Sequence, residues 1–451
     1  MTTAAQTQSA DPKGASMPSA DEMLRRMADL YPEPEWLAGA RRRAWDAYHR
    51  SPMPSRVTHL WRYTEPEAFC PASLMPPAVP AEADQPRSFP SVLEEALAAD
   101  ALGAGIYVRE GLVWKTALDT EYAEAGVIVA DLHEAAATHS ELIAKHMGSL
   151  VGSDFGKYEA LGNAVWSGGL FIHIPRGTKG TKPMHVVTSQ PRTTPFGSGR
   201  LLVIVEPEAE LTLIDEYGDG TADGTDPVQA NRIVEIVIGQ GARVRYIPVQ
   251  NWNRATTSYF TQRAHVARGA ELETVLVAVG AGMSKADCGA ALADEGAQSY
   301  IFGLAIGDRD QHYDHRTVHE HRSGHTQSDI KFKVALRDTA NSAYTGLIRI
   351  DEKAAFCEAY QENRNLILSP GARAETIPEL EILNNEVHCS HGATVGRVDD
   401  REVFYLQSRG LDRAAAVRLI VSGFVGPILD RVPEVARDRL RDVVMHRLEG
   451  N

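Results

Sequence analysis

Cysteine is scarce in this chain. Its 451 residues include four, Cys70, Cys288, Cys357 and Cys389, widely spaced and without a CxxC pair. That excludes the disulfide framework that staples small secreted domains. Reduced thiols are expected, and these are free for metal chemistry. Cationic runs are also missing: the formal net charge is -14 and no block of Lys or Arg stands out. Nucleic acids and anionic membranes need a cationic footprint, so neither is expected as a partner. No apolar run is long enough to span a bilayer. Residues 1–21 are rich in Ala, Ser, Thr and Pro and lack the basic start and apolar core of a signal peptide. They are expected to form a disordered tail on a cytoplasmic protein.

The usual catalytic signatures are lacking too. There is no GxxxxGK[ST] phosphate loop, and Gly177-Thr178-Lys179-Gly180 has the wrong spacing for one. The chain is therefore not expected to bind ATP. GxGxxG, HExxH and GxSxG are absent. His133-Glu134 is followed by His139, the wrong offset for two ligands on one helical face.

What is present begins with an ordinary globular balance, 43% hydrophobic and 24% charged residues, enough to bury a large core. Met23, Leu24, Met27 and Leu30 fall at helical spacing, as do Trp36, Ala40, Ala44 and Tyr48, with a break at Pro32 and Pro34. Proline-rich sequence over 71–90 predicts a linker. A mixed segment follows, with a helix expected over 132–147 and a strand over 168–174. Farther on the rhythm changes to period two. In Ile330-Lys331-Phe332-Lys333-Val334-Ala335-Leu336 the large apolar residues alternate with the lysines, the pattern of a strand with one buried face.

Small-residue turns punctuate these strands. Gly241, Gly269, Gly296 and Gly324 are separated by 28, 27 and 28 positions, and Gly371-Ala372 recurs later in the same role. A fixed period of this size without helical spacers predicts a β-helix; a plain β-sandwich shares the strand-and-turn pattern. At the C-terminus Asp412 is a candidate N-cap for a helix carrying Ala416, Leu419, Ile420 and Phe424, and a last helix is expected over 434–448. This helix pair reads as packed on the body or, more sharply, as a docking surface.

Two segments carry ligand chemistry. His312, His315, His319, His321 and His325 crowd 310–325, and His315, His319 and His321 would share one face of a strand. Imidazole ligates iron and zinc, but no metal-site spacing is recognisable, and a solvated strand face is the plainer reading. The second segment is Glu386-Val387-His388-Cys389-Ser390-His391-Gly392-Ala393-Thr394. On a strand Cys389 and His391 share a side, a thiol–imidazole pair suited to a soft metal or a cluster. A buried Cys beside an exposed His is the plainer alternative.

The second segment also carries a resemblance. Asn363-Arg364-Asn365-Leu366-Ile367-Leu368-Ser369, Pro378-Glu379-Leu380-Glu381-Ile382, Cys389-Ser390-His391-Gly392-Ala393-Thr394-Val395-Gly396, Phe404-Tyr405-Leu406 and Ser408-Arg409-Gly410, in that order and spacing, resemble the SufB/SufD family. Trp61-Arg62-Tyr63-Thr64 resembles its N-terminal motif. The resemblance implies a mainly β fold: a right-handed parallel β-helix core flanked by N- and C-terminal helical regions. The expected organisation is a tail at 1–20, a helical region and proline-rich linker at 21–95, a mixed α/β segment at 96–195, the β-helix core at 196–408 and a C-terminal helical region at 409–451.

The resemblance further implies an iron–sulfur cluster assembly scaffold. A SufB-like and a SufD-like subunit pair through their cores, and each binds a SufC-like ABC ATPase near its C-terminal helices. A homodimer is the alternative when the SufB-like partner is absent. SufB-like chains carry a cysteine where this chain has Asn363, which favours the SufD-like type. Cys357 lies six residues upstream, roughly 20 Å of extended strand, too far to substitute. By resemblance His391 is the expected ligand for iron or a nascent cluster, with Cys389 second. A SufB-like scaffold is the nearest alternative. A β-helix enzyme using the histidine segment with Asp308, Asp310 and Asp314, or a pure interaction protein, stands further off.

Overall fold

The computed structural model describes residues 19–31, 33–71, 88–109, 111–189, 196–218 and 228–449. The tail expected at 1–20 lies almost wholly outside the described residues, as does most of the expected linker at 71–90. The N-terminal helix pair forms where the spacing predicts. α1 (Ala20–Leu30) is capped by Ser19, whose hydroxyl accepts from the Glu22 N–H, and α2 (Glu35–Arg50) starts after Pro34. Next come α3 (Ser91–Ala98), β1 (Ala104–Arg109), β2 (Leu112–Leu118), α4 (Thr120–Glu124), β3 (Ile128–Asp131), α5 (Leu132–Thr138), α6 (Ser140–His146) and α7 (Lys157–Val165). The single helix expected over 132–147 is two, broken at His139, which leaves helical geometry at φ -122° and ψ 39°.

From β4 (Gly168–Ile174) onward the chain winds as a parallel β-solenoid of about seven turns. Strands alternate between two sheets. Sheet B holds β4, β6 (Phe196–Val205), β8 (Val228–Ile238), β10 (Thr256–Val266), β12 (Met283–Leu292), β14 (His312–His321), β16 (Asn341–Ile350) and β18 (Arg373–Ile382). Sheet A holds β5 (Met184–Ser189), β7 (Glu210–Gly218), β9 (Arg243–Asn251), β11 (Glu271–Ala278), β13 (Gln298–Gly307), β15 (Gln327–Leu336), β17 (Cys357–Ile367) and β19 (Val387–Arg397). The alternating coils thus begin at Gly168, ahead of the boundary expected at 196, and β1 already pairs parallel with β5. β4 and β5 already turn Leu170, Ile172, Met184 and Val186 into the core, but no regular glycine turn marks them in sequence.

The lumen between the sheets is the main core. Leu201, Val203, Leu213, Val234, Ile236, Phe260, Leu272, Ile301, Ile330, Phe332 and Val334 fill it. Full burial of each such side chain stabilises by about 1.5–3 kcal/mol. The glycine period is the coil. Arg243 pairs with Glu271, Glu271 with Gln298 and Gln298 with Gln327, offsets of 28, 27 and 29. Gly241, Gly269 and Gly296 hold positive φ at the turns from sheet B to sheet A; in the next coil His325 (φ 55°) takes that role instead of Gly324, which adds one residue to the offset.

The two ends of the solenoid differ. At the first, β2 pairs antiparallel with β1 and β3 with β4, so no further parallel strand can stack there. At the other, β19 ends sheet A and β18 ends sheet B. After β19 the chain leaves as α8 (Asp400–Ser408), so 400–408 is helical where the core had been expected to continue. Asp412 caps α9 (Arg413–Leu429), accepting from the Ala415 N–H, and α10 (Glu434–Glu449) closes the chain. Val421, Val425, Ile428, Leu440 and Val444 of these helices pack on the outer face of sheet A, against Ile214, Val249, Val277, Phe302 and Leu304. Strands there are buried on both faces, which blurs their period-two pattern.

Candidate functional site

The site expected at Cys389 and His391 lies on β19, the last strand of sheet A. Cys389 is in register with Ala359 and His391 with Gln361, both buried luminal residues of β17. Parallel partners share a face, so Cys389 and His391 both turn toward the lumen at its last rung. Cys389 packs half-buried against the luminal core, whereas His391 is exposed. Burial, with the neighbouring Cys357 thiol second, pushes the Cys389 thiol up to about 11. It therefore stays protonated at neutral pH.

Cys357 is the residue the sequence left aside. It pairs with Val387, one diagonal step from Cys389 on the same luminal face. It is wholly buried, with Thr326 Oγ1 at 3.1 Å and the Ala354 carbonyl at 3.3 Å. The coil offset of about thirty residues was the signal that could have placed it. Asn363 is locked as a brace: its amide donates to the Phe332 carbonyl (3.1 Å) and accepts from Asn365 Nδ2 (2.6 Å).

The open end around this pair is bare, with apolar side chains exposed among polar ones such as Glu381, His388 and Arg397. Ile382, Leu383 and Val395 are exposed, as are Phe356 and Tyr360. The outer edges of β18 and β19 have no partner strand among the described residues, leaving rows of unpaired backbone groups.

The histidine segment is β14. His315, His319 and His321 do share a face, but it is the lumen rather than a solvated surface, because Tyr313 and Thr317 alternate inward with them. Each makes local contacts: His315 stacks on Tyr313, His319 Nε2 lies 3.0 Å from Ser299 Oγ, and His321 contacts Thr326 and Ser328 at 2.7 and 2.9 Å. Burial pushes His315 and His321 down to about 4 and His319 to about 3, so all three are neutral. On the outer face, Asp314 takes hydrogen bonds from Lys285 and Thr64, the latter also 2.8 Å from His312 Nε2. The motif Trp61-Arg62-Tyr63-Thr64 is thus a strap across sheet B, with Trp61 stacked on Tyr259. Asp308 is clamped by Arg254 and Asp310 is exposed, so these acids do not converge in a groove. No group of three or more His, Cys, Asp or Glu among the described residues is placed to hold a metal ion.

A second surface lies on the C-terminal helices. α8 buries only Val403, and Phe404 is 72% exposed beside exposed Tyr405. Tyr405, with Leu406, Leu419, Ile420 and Gly423, borders an open groove between α8 and α9. α10, by contrast, is clamped to the body: Arg439 grips Glu216, which also contacts His185 Nε2 at 3.2 Å, and in the turn before the helix Arg431 reaches Glu273 at 2.8 Å. The exposed rings of α8 lie upstream of the docking region expected at 409–451.

Solenoid, capped first end, bare last end and helical flanks define a parallel β-solenoid protein. Two family models match it contiguously: the SufBD protein N-terminal region over residues 95–186, and the SufBD core domain of SUF system FeS cluster assembly over 187–424. The chain belongs to the SufBD family of iron–sulfur cluster assembly proteins. Similar chains include an iron-sulfur cluster assembly SufBD family protein of Staphylococcus aureus (strain MRSA252), 26% identical over 440 residues, spanning 96% of this chain and 93% of that one. The protein of that name from Staphylococcus haemolyticus (strain JCSC1435) matches with the same identity and spans. No helix among the described residues is long and apolar enough to cross a membrane.

Proposed function

We propose that the chain is the SufD-like subunit of a cytoplasmic SUF scaffold complex, with no catalytic activity of its own. The carrying observation is that Cys389 and His391 sit together on the last luminal rung, at an end whose strand edges are unpaired. Two donors do not complete the coordination of iron or a cluster. A SufB-like subunit docking on this end would extend both sheets, cover Ile382, Leu383 and Val395, and bring the missing thiolates. Asn363 supports the SufD-like assignment, since its amide offers no nucleophile and is fixed by two hydrogen bonds. The groove between α8 and α9 is the docking surface for a SufC-like ABC ATPase, which supplies the nucleotide chemistry this chain lacks. His391, with Cys389, holds iron or the nascent cluster transiently.

The test is co-expression with a SufB-like and a SufC-like protein, followed by purification on this chain's tag. A stable complex that gains iron and acid-labile sulfide on reconstitution is expected. Recovery of the chain alone, or as a self-paired dimer in the presence of both partners, would sink the reading.

A further inference from the structure

The first coils line a partly open cavity of about 50 Å³, remote from the last rung. It exists because luminal side chains are missing at stacked positions. Gly168 on β4 is in register with Gly199 on β6, Gly197 on β6 with Ala230 on β8, and Ala230 with Ser258 on β10. Luminal positions just beyond them, Leu170, Leu201, Val234 and Phe260, are filled. Crowding does not force the small residue at Gly199. A Cβ there would meet only Arg232 Nη1, at 3.9 Å, and the backbone is not left-handed.

The walls carry polar atoms with no partner. Trp252 is 5% exposed and its indole Nε1 is unpaired; Arg232 Nε and Thr188 Oγ1 are unpaired as well. All three residues border the cavity. The rest of the Arg232 fork is engaged, with Nη2 donating to Asp215 Oδ1 (2.7 Å) and its plane over the Tyr217 ring. Asn231 and Ser198 also border the space, with Asn231 Oδ1 and Ser198 Oγ unpaired, but they are in register on the opposite face from the luminal Gly197 and Ala230, where the Asn231 amide nitrogen donates to the Tyr158 carbonyl (2.9 Å). An indole N–H and a guanidinium N–H can only donate. Leaving such donors buried and unmade costs about 1–3 kcal/mol each. A wall of donors with a guanidinium in it calls for a hydrogen-bond acceptor and disfavours a cation. At ~10–15 Å³ per water, the space takes about three to five waters, or one solute of a few heavy atoms.

We propose that this luminal cavity is a binding site for a small oxyanion, held by Trp252, Arg232 and Thr188. The site is independent of the open end, so its failure leaves the scaffold reading untouched.

The experiment titrates the purified full chain with inorganic phosphate, sulfate and acetate, with sodium chloride as the ionic-strength control, following thermal unfolding and calorimetry. One of the three oxyanions raises the melting temperature saturably where chloride does not, and which one separates a tetrahedral from a planar ligand. Trp252→Phe keeps the ring, removes the donor and weakens binding about tenfold. Gly199→Val fills the cavity and abolishes binding. No saturable response to any of the three overturns the proposal, as does unchanged affinity in Trp252→Phe. A Gly199→Val chain that is merely more stable, with no anion bound by the wild type, marks the cavity as a packing void and overturns it too.

Discussion

His391 lies in register with Gln361 across the last strand pair of sheet A, yet Gln361 is wholly buried and His391 is exposed. One coil separates a sealed lumen from an open one. An imidazole in that position adds little to the fold, so His391→Ala changes unfolding free energy by no more than about 0.5 kcal/mol. The reconstituted complex loses most of its iron and acid-labile sulfide all the same. Urea unfolding of the chain and metal analysis of the complex measure the two effects. Full iron content in the variant complex would remove His391 from the ligand set.

Phe404 and Tyr405 present their rings on a helix that buries only Val403. Bare aromatic rings are the usual anchors of a protein interface. Tyr405→Asp lowers affinity for the SufC-like ATPase by about 2 kcal/mol or more, roughly thirtyfold, without shifting the melting temperature. Calorimetric titration with the ATPase checks it, and equal affinity in the variant would move the docking surface elsewhere.

The opposite holds for Arg439, whose role is to fasten α10. Burial alone would raise the pKa of Glu216, but the hydrogen bond from His185 and the charge of Arg439 outweigh it and hold the carboxyl at about 2. Arg439→Ala leaves that carboxylate with one partner. The expected loss is about 2 kcal/mol, below that of a sealed pair because the Arg439 side chain is 34% exposed. The sign with pH follows from the lowered value. The contribution is full above the unfolded carboxyl pKa, about 4.5, and fades as pH falls toward 2. Glu216→Gln lacks this component, so the difference in urea stability between wild type and variant shrinks across that window. A constant difference would mean that the carboxyl is not held ionised by these partners.

Much of the architecture was legible because a solenoid writes its period into the chain. The glycine spacing around Gly241, Gly269 and Gly296 is the strand offset itself, and the alternation in Ile330–Leu336 is its luminal face. Cys389 and His391 were legible as one face of a strand. What stayed hidden was which face of β14 points inward, since His315, Asp314 and Arg316 are all polar and only packing decides between them. The nearness of Cys357 to Cys389 was hidden as well: neighbours across coils lie some thirty residues apart in sequence. The exposed rings of α8 were visible as a motif, but nothing local in Phe404-Tyr405-Leu406 says that the helix buries so little of itself.

The luminal imidazoles give a pH signature of their own. Burial holds His319 near 3 and His315 and His321 near 4. Unfolded imidazoles protonate near 6.5. Between those limits the unfolded state binds more protons than the fold, so stability rises with pH and is lost on acidification. Each imidazole contributes a slope of up to about 1.4 kcal/mol per pH unit over that range. The carboxylates titrate mainly below it, so the interval from about pH 6.5 to 5 isolates histidine. His319→Gln keeps a hydrogen-bonding partner for Ser299 and removes one titrating group; the chain is less stable at neutral pH but loses less on going to pH 5. An unchanged slope would show that His319 takes up its proton in the folded state as readily as in the unfolded one, which a side chain with no exposed surface and no acidic neighbour cannot do.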